Sequence, residues 1–216
     1  MQQEVPRDQP GGRPTAERTR DAISAAFGRV TGEAIPVNVL RWMLVQIWLE
    51  TDQGRALWRN NVGNITAGSA WSGTIWRPNW YYEPGPDASA RTRELHELML
   101  QGRAPSAFRA YPSLEAGAED YVRVVMRQFP QLYRAMYDGD ASGVALAVRE
   151  SRYCPDCSTN PEPWNAMARQ LAPVLPKAQP HGPGKMLAVI GLATLAATAG
   201  YGAYRATRLQ KRAAIG

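Results

Sequence analysis

Cysteine and histidine are scarce in this chain: 216 residues hold two of each. Both cysteines, Cys154 and Cys157, stand in one run, YCPDCST, and the histidines, His96 and His181, lie elsewhere. A lone CxxC cannot fill a tetrahedral zinc site, so neither a metal nor a cofactor is expected. The pair itself is open to three readings: a redox couple, a short-loop disulfide, or half of an intermolecular site. An export leader is also lacking. MQQEVPRDQPGGRPTAERTR has no apolar stretch of signal-peptide type, and residues 1–14 read as a flexible arm. There is no Lys/Arg block, zinc-finger spacing or RNA-binding signature, which argues against a specific nucleic-acid partner. No internal repeat occurs.

What is present suits a folded domain with appendages. Hydrophobic residues make up 44% of the chain and charged ones 20%, which is ordinary for a globular protein. The net charge of +6 favours an anionic partner: nucleic acid, lipid head groups or an acidic wall polymer. Met186 to Tyr204, MLAVIGLATLAATAGYGAY, carries no charge and is long enough to cross a bilayer of about 30 Å. Lys185 precedes it; Arg205, Arg208, Lys211 and Arg212 follow, with Tyr201 and Tyr204 at the basic end. A single-pass C-terminal anchor in a lipid bilayer is therefore expected. Ala193, Ala196, Ala197 and Gly200 form a small-residue ridge on which another helix can pack. The expected plan is an arm (1–14), a folded domain (15–174), a Pro/Gly linker (175–185), a transmembrane helix (186–204) and a basic tail (205–216).

Periodicity makes the folded domain mainly α. Thr15 to Val30 carries Ile23, Ala26 and Phe27 on one face. Pro36 and Asn38 signal the next helix, with Asn38 as its expected N-cap, and Leu40, Met43, Leu44, Ile47 and Trp48 recur at helical spacing. Thr66 to Tyr82 is irregular and reads as a small hairpin or a loop. Helices follow over 87–102, from Ser113 through Tyr121, Val124, Val125 and Phe129, and around 141–150 and 162–173.

One acid stands out. Glu50 ends an apolar helix, seven residues after Met43 and three after Ile47, on the same face. A carboxyl there is poorly solvated, which favours its neutral form. A carboxylic acid still protonated near neutral pH is what a general acid at a glycosidic oxygen requires.

Three blocks around this acid carry a family resemblance. LRWMLVQIWLETDQGRALWRNNVGNI is similar to the catalytic-helix pattern of the endo-β-N-acetylglucosaminidases of bacterial peptidoglycan, relatives of the flagellar rod-cap muralytic domain and of lysozyme-like hydrolases. FRAYPSLEAGAEDYVRVV resembles that family's FR-x-Y-x-S segment ending in DY, and RYCPDCSTNPEPWNAMARQL its closing helix. The resemblance implies a lysozyme-like α+β domain with a small β-lobe and a cleft that binds bacterial peptidoglycan. By that resemblance Glu50 is the general acid, and Asn60, Asn61 and Asn64 shape the turn and contact sugar or backbone. Tyr111, Trp71, Trp76 and Trp164 are expected to face substrate. Glu83 in WYYEPGPD is the first candidate for a second catalytic carboxylate, ahead of Asp87 and Asp52. The family pattern is interrupted by PGPDASARTRELHELMLQGRAPSA, a helix-like insertion. Tyr121, on the face of Val125, reads as core; Glu115 and Asp120 read as helix-start acids without catalytic duty.

Three activities are compatible with these residues. The first is a membrane-anchored glycan-strand hydrolase, presented to the wall from a bacterial inner membrane or from the internal membrane of a phage virion. A lytic transglycosylase needs only Glu50. A lysozyme-like scaffold without turnover is the third. A basic membrane protein that binds DNA or a capsid component through its arm and tail is a reading from another class.

Overall fold

Thr15 starts the domain, its side chain accepting a hydrogen bond from Arg18 N at 3.2 Å and so capping α1, Ala16–Thr31. Gly32, at φ 77°, ends it in the left-handed conformation. Ala22, Ile23, Ala26 and Phe27 bury the face turned to α4, Leu114–Gln128. The computed structural model describes residues 2–6, 13–151, 153–154 and 157–175.

The second helix, α2 (Val37–Glu50), is apolar over most of its surface, and nine of its fourteen residues are buried. A helix of that kind belongs inside a bundle, and α2 packs on α1, on α5 (Pro130–Asp138) and on α7 (Glu162–Gln170). The core joins Phe27, Met43, Leu44, Ile47, Tyr121, Leu132 and Met136. Each large side chain withdrawn from water there contributes on the order of 1.5–3 kcal/mol.

Two expectations about these helices need correction. Asn38 is not the N-cap of α2; Pro36 takes that place. Asn38 lies in the first turn and reaches the carbonyl of Tyr137 at 3.4 Å, close against Gly139. Helix α5 was not expected. Phe129 ends α4, and Pro130 restarts the chain as the first residue of α5, where its missing N–H costs nothing. Leu132 and Met136, four apart, then seal α5 to the core. The last two helices stand near their expected places, α6 at Ala141–Glu150 with Asp140 as its cap and α7 at Glu162–Gln170.

A smaller lobe interrupts the bundle between α2 and α4. Its two-residue strand β1 (Ile75–Trp76) pairs antiparallel with β2 (Phe108–Arg109), Trp76 opposite Phe108. The pairing is not a local hairpin. It spans the insertion, which folds as α3 (Ala90–Leu100) and docks His96 Nδ1 2.9 Å from the carbonyl of Trp80. The N-terminal arm is not free along its whole length either. Glu4 bridges Ile75 in parallel, through Val5 N to Ile75 O and Ile75 N to Gln3 O, both 2.9 Å. Arg77 and the Tyr82 hydroxyl hold its carboxylate, each at 2.8 Å.

Seven α-helices and one two-stranded sheet among the described residues thus make a mainly helical domain with a small β-lobe. No helix among those residues is long and apolar enough to cross a membrane. The expected anchor at 186–204, with its Ala193–Gly200 ridge, and the basic tail lie outside the described residues.

Candidate active site

Glu50 is the last residue of α2, where the apolar helix leaves the core. The chain turns at once. Thr51, buried, donates its hydroxyl to Ile47 O at 2.6 Å and accepts from Gly54 N at 3.1 Å. The loop that follows bends through residues with positive φ, among them Arg59 (51°), Asn60 (59°) and Asn64 (46°). Asparagine tolerates that region better than most residues. The bend returns Asn64 to the start of the turn, where its side-chain amide donates to the Glu50 carbonyl at 2.8 Å.

Two glycines seat the loop. A Cβ on Gly63 would lie 2.4 Å from Tyr121 Cδ2 and 2.9 Å from the Tyr153 hydroxyl. One on Gly117 would lie 1.8 Å from the carbonyl oxygen of Asn60. No other residue permits either approach. Asn61 completes the seat. It is fully buried, donates to Ile65 O (2.9 Å) and Arg109 O (3.0 Å), and accepts from Ile65 N (2.8 Å). Its amide is consumed by the fold, so its duty is the turn rather than sugar. Asn60 donates to Tyr111 O at 3.0 Å and ties the loop to the strand side of the lobe.

Burial dominates the electrostatics of Glu50. It raises the carboxyl from 4.5 to about 7, against a smaller downward pull from the Asn64 side chain. Two phenols share its surroundings. Tyr121 donates to Gln46 Oε1 at 2.8 Å, and Tyr153 donates to Gly63 O at 2.6 Å. Both are held neutral far above the usual tyrosine range, by burial first and then by the negative charge of Glu50. Glu50 is therefore an acid that keeps its proton near neutrality beside groups that also keep theirs. The third neighbour is a disulfide. Cys154 and Cys157 are bonded, and their sulfurs and a Glu50 carboxylate oxygen all lie within 4.8 Å of one another.

A polar and aromatic surface adjoins the loop. Arg109 pairs with Asp120 at 2.7 Å, and Asp120 accepts the Tyr111 hydroxyl at 2.5 Å. Asp120 thus braces this surface rather than the helix start. The ring of Trp71 meets Tyr111 edge-on at 5.9 Å, and the Arg109 guanidinium lies 4.5 Å over it. Half-buried Trp71 keeps part of its surface accessible, whereas Tyr111, also expected to face substrate, is buried and braces that ring from within.

Other expected site residues fall elsewhere. Trp76 is buried against Phe108, ring centroids 4.9 Å apart, and forms the core of the β-lobe. Trp164 is buried and tilted against Trp42 in the main core. Both are packing residues, because each has most of its surface inside. Glu83 is 93% exposed, with His96 Nε2 3.8 Å from its carboxylate. Asp87 is exposed, and Asp52 is exposed and paired with Arg55. Tyr153 was not foreseen as a site residue. It lies in the third resemblance block, eleven positions before the tryptophan favoured there.

No protein-family model and no curated protein matches the chain. Among solved structures, a peptidoglycan hydrolase from Sphingomonas sp. A1 aligns with a TM-score of 0.47 at 20% identity, over 77% of this chain and 97% of that one. A C-terminally truncated glycoside hydrolase domain of Salmonella typhimurium FlgJ aligns with a TM-score of 0.46 at 18% identity, over 73% and 98%.

Proposed function

We propose that this protein is a peptidoglycan hydrolase that cleaves β-1,4 glycosidic bonds of the glycan strand, with Glu50 as general acid. The observation that carries the reading is the state of that carboxyl, raised to about 7 by burial at the mouth of a polar loop. A neutral carboxylic acid protonates the leaving glycosidic oxygen and relieves the charge that develops there as the bond breaks. Trp71 and Asn60 supply the adjoining surface, with buried Tyr111 packed edge-on against Trp71, and an apolar ring face such as that of Trp71 suits the C–H face of a sugar. The resemblance of the Glu50 and Phe108 blocks to endo-β-N-acetylglucosaminidases supports the wall as substrate.

A second reading, a lytic transglycosylase, gains from one observation. Glu83, Asp87 and Asp52, the candidates for a second acid, are all exposed, and Asp52 is committed to Arg55. In that route one acid/base suffices, and a hydroxyl of the sugar itself attacks to give an anhydro end. Anchoring through 186–204 to a bacterial or virion membrane extends the proposal, on the strength of the uncharged run and its basic flanks.

The test is digestion of purified peptidoglycan by the full chain and by Glu50→Gln, with borohydride reduction and mass spectrometry of the new ends. Reducing N-acetylglucosamine ends, lost in the variant, support a glucosaminidase. Muramic or anhydromuramic ends move the activity to lysozyme or transglycosylase type. No products from either folded protein would reject the hydrolase and leave a scaffold.

A further inference from the structure

Sequence alone offers the CxxC pair no further metal ligand, but the fold brings one to it. Chain segments a hundred residues apart place the Glu50 carboxylate and the sulfurs of Cys154 and Cys157 within 4.8 Å of one another. We propose that, once the disulfide is reduced, Glu50, Cys154 and Cys157 form a binding site for a thiophilic divalent metal ion of the zinc class.

The donor set fits such an ion. Two thiolates and one carboxylate are three protein ligands, and a fourth position stays open to water, as in tetrahedral zinc sites with an accessible edge. Two residues between the cysteines is a standard chelating interval. With metal–sulfur bonds of about 2.3 Å and metal–oxygen bonds of about 2.0–2.2 Å, tetrahedral ligand atoms stand roughly 3.4–3.8 Å apart. The three ligand atoms already lie within 4.8 Å of one another, about an ångström beyond that spacing at most, so opening the bonded sulfur pair and drawing the carboxylate in by a short shift are the rearrangements needed. Cys154 and Cys157 are Cα–Cα 5.3 Å apart, so the two thiolates stay close on a short piece of backbone. Both cysteines pack against the hydrophobic core, which limits competition from water.

The steps balance. A dithiol reductant supplies two electrons and two protons; the sulfur–sulfur bond breaks, two thiols form, and the reductant becomes a disulfide. The metal then displaces both thiol protons, and any proton on Glu50, to solvent. One consequence rests on the proposed function: an ion on the Glu50 carboxylate occupies the atom that would donate the proton, so wall cleavage stops while it is bound. The binding itself does not depend on that reading.

The experiment uses the full chain, reduced with a phosphine and titrated with cadmium while the thiolate-to-cadmium charge-transfer absorbance is followed. The expected result is a band that saturates at one equivalent in the reduced chain and is absent from the oxidised one. Glu50→Gln should weaken cadmium binding by about tenfold or more, since loss of even an outer-shell partner typically costs 10–100-fold. Circular dichroism checks that both proteins are folded. If reduction unfolds the chain, cadmium should restore the folded spectrum, and failure to do so overturns the site. Absence of a band in folded, reduced protein also overturns it. So does equal cadmium affinity in Glu50→Gln, which would leave the thiols as ligands without the carboxylate. These readouts are spectroscopic, so they separate from a failure to cleave peptidoglycan.

Discussion

The side-chain amide of Asn64 donates to the backbone carbonyl of Glu50 across 2.8 Å, closing a loop of fourteen residues onto the end of α2. That bond fixes the tight turn that follows the apolar helix. The carboxyl at that helix end is largely withdrawn from water, and the desolvation favours its protonated form.

Proton linkage gives the first prediction. Glu50 has a folded pKa raised from 4.5 to about 7, so its neutral form is favoured in the folded state. Its contribution to stability is fully present below about 4.5 and is lost as pH rises through about 7. The full loss is on the order of 3 kcal/mol. Glu50→Gln removes this titration. Urea melts of both proteins should show the variant gaining on the native chain between pH 4.5 and pH 8; a constant difference would contradict the buried carboxyl.

Gly63 should tolerate no side chain. Alanine there drives a methyl into Tyr121 and the Tyr153 hydroxyl. A loss of about 1–3 kcal/mol is expected from the overpacking. Activity should fall further than stability, because the displaced Tyr153 and loop border Glu50. Denaturant midpoints and wall-lysis rates on one preparation check both.

The tryptophans should divide by role. Trp164→Ala empties a site in the main core and should destabilise by about 3–5 kcal/mol. Trp71→Ala removes a half-buried ring of the adjoining surface and should cost less than about 2 kcal/mol. Its main effect should be a raised KM on peptidoglycan. The reverse pattern in melting and kinetic data would reassign the two rings.

Asn61→Ala should behave as a core lesion. Three hydrogen bonds are lost; the Ile65 carbonyl keeps its bond from Arg109 N at 3.0 Å, while the buried Ile65 amide and the part-buried Arg109 carbonyl lose the Asn61 partner. Unsatisfied groups of this kind typically cost about 1–3 kcal/mol each, so a large loss is expected. Thermal melts decide it: a near-native melting temperature with weakened substrate binding would make Asn61 a sugar contact after all.

Much of this architecture is legible in the residues. The faces of α1 and α4 follow from Ile23, Ala26 and Phe27 and from Tyr121, Val124 and Val125, and the Thr15 and Ser113 caps mark where each begins. The position of Glu50 after Met43 and Ile47 indicates a poorly solvated acid. What escaped are relations between distant segments. Trp76 and Trp164 carry the same local signal as Trp71, because a ring that packs and a ring that binds are chemically identical. Tyr153 reaches Gly63 across ninety residues, and Cys154 and Cys157 approach Glu50 across more than a hundred. Helix α5 was legible: Pro130 opening a segment with Leu132 and Met136 four apart is a helix signal, masked by the reading of Phe129 as the end of the helical stretch.

The most direct test of the central claim is the pH dependence of kcat/KM for peptidoglycan cleavage, measured beside Glu50→Gln. A general acid must be protonated to act, so activity should fall as pH rises through about 7, the value to which burial brings Glu50. The variant should lose about two to four orders of magnitude below pH 7, and progressively less above it, where the native acid is itself deprotonated. A fall already complete by pH 5, or a variant that retains activity, would contradict the role assigned to Glu50.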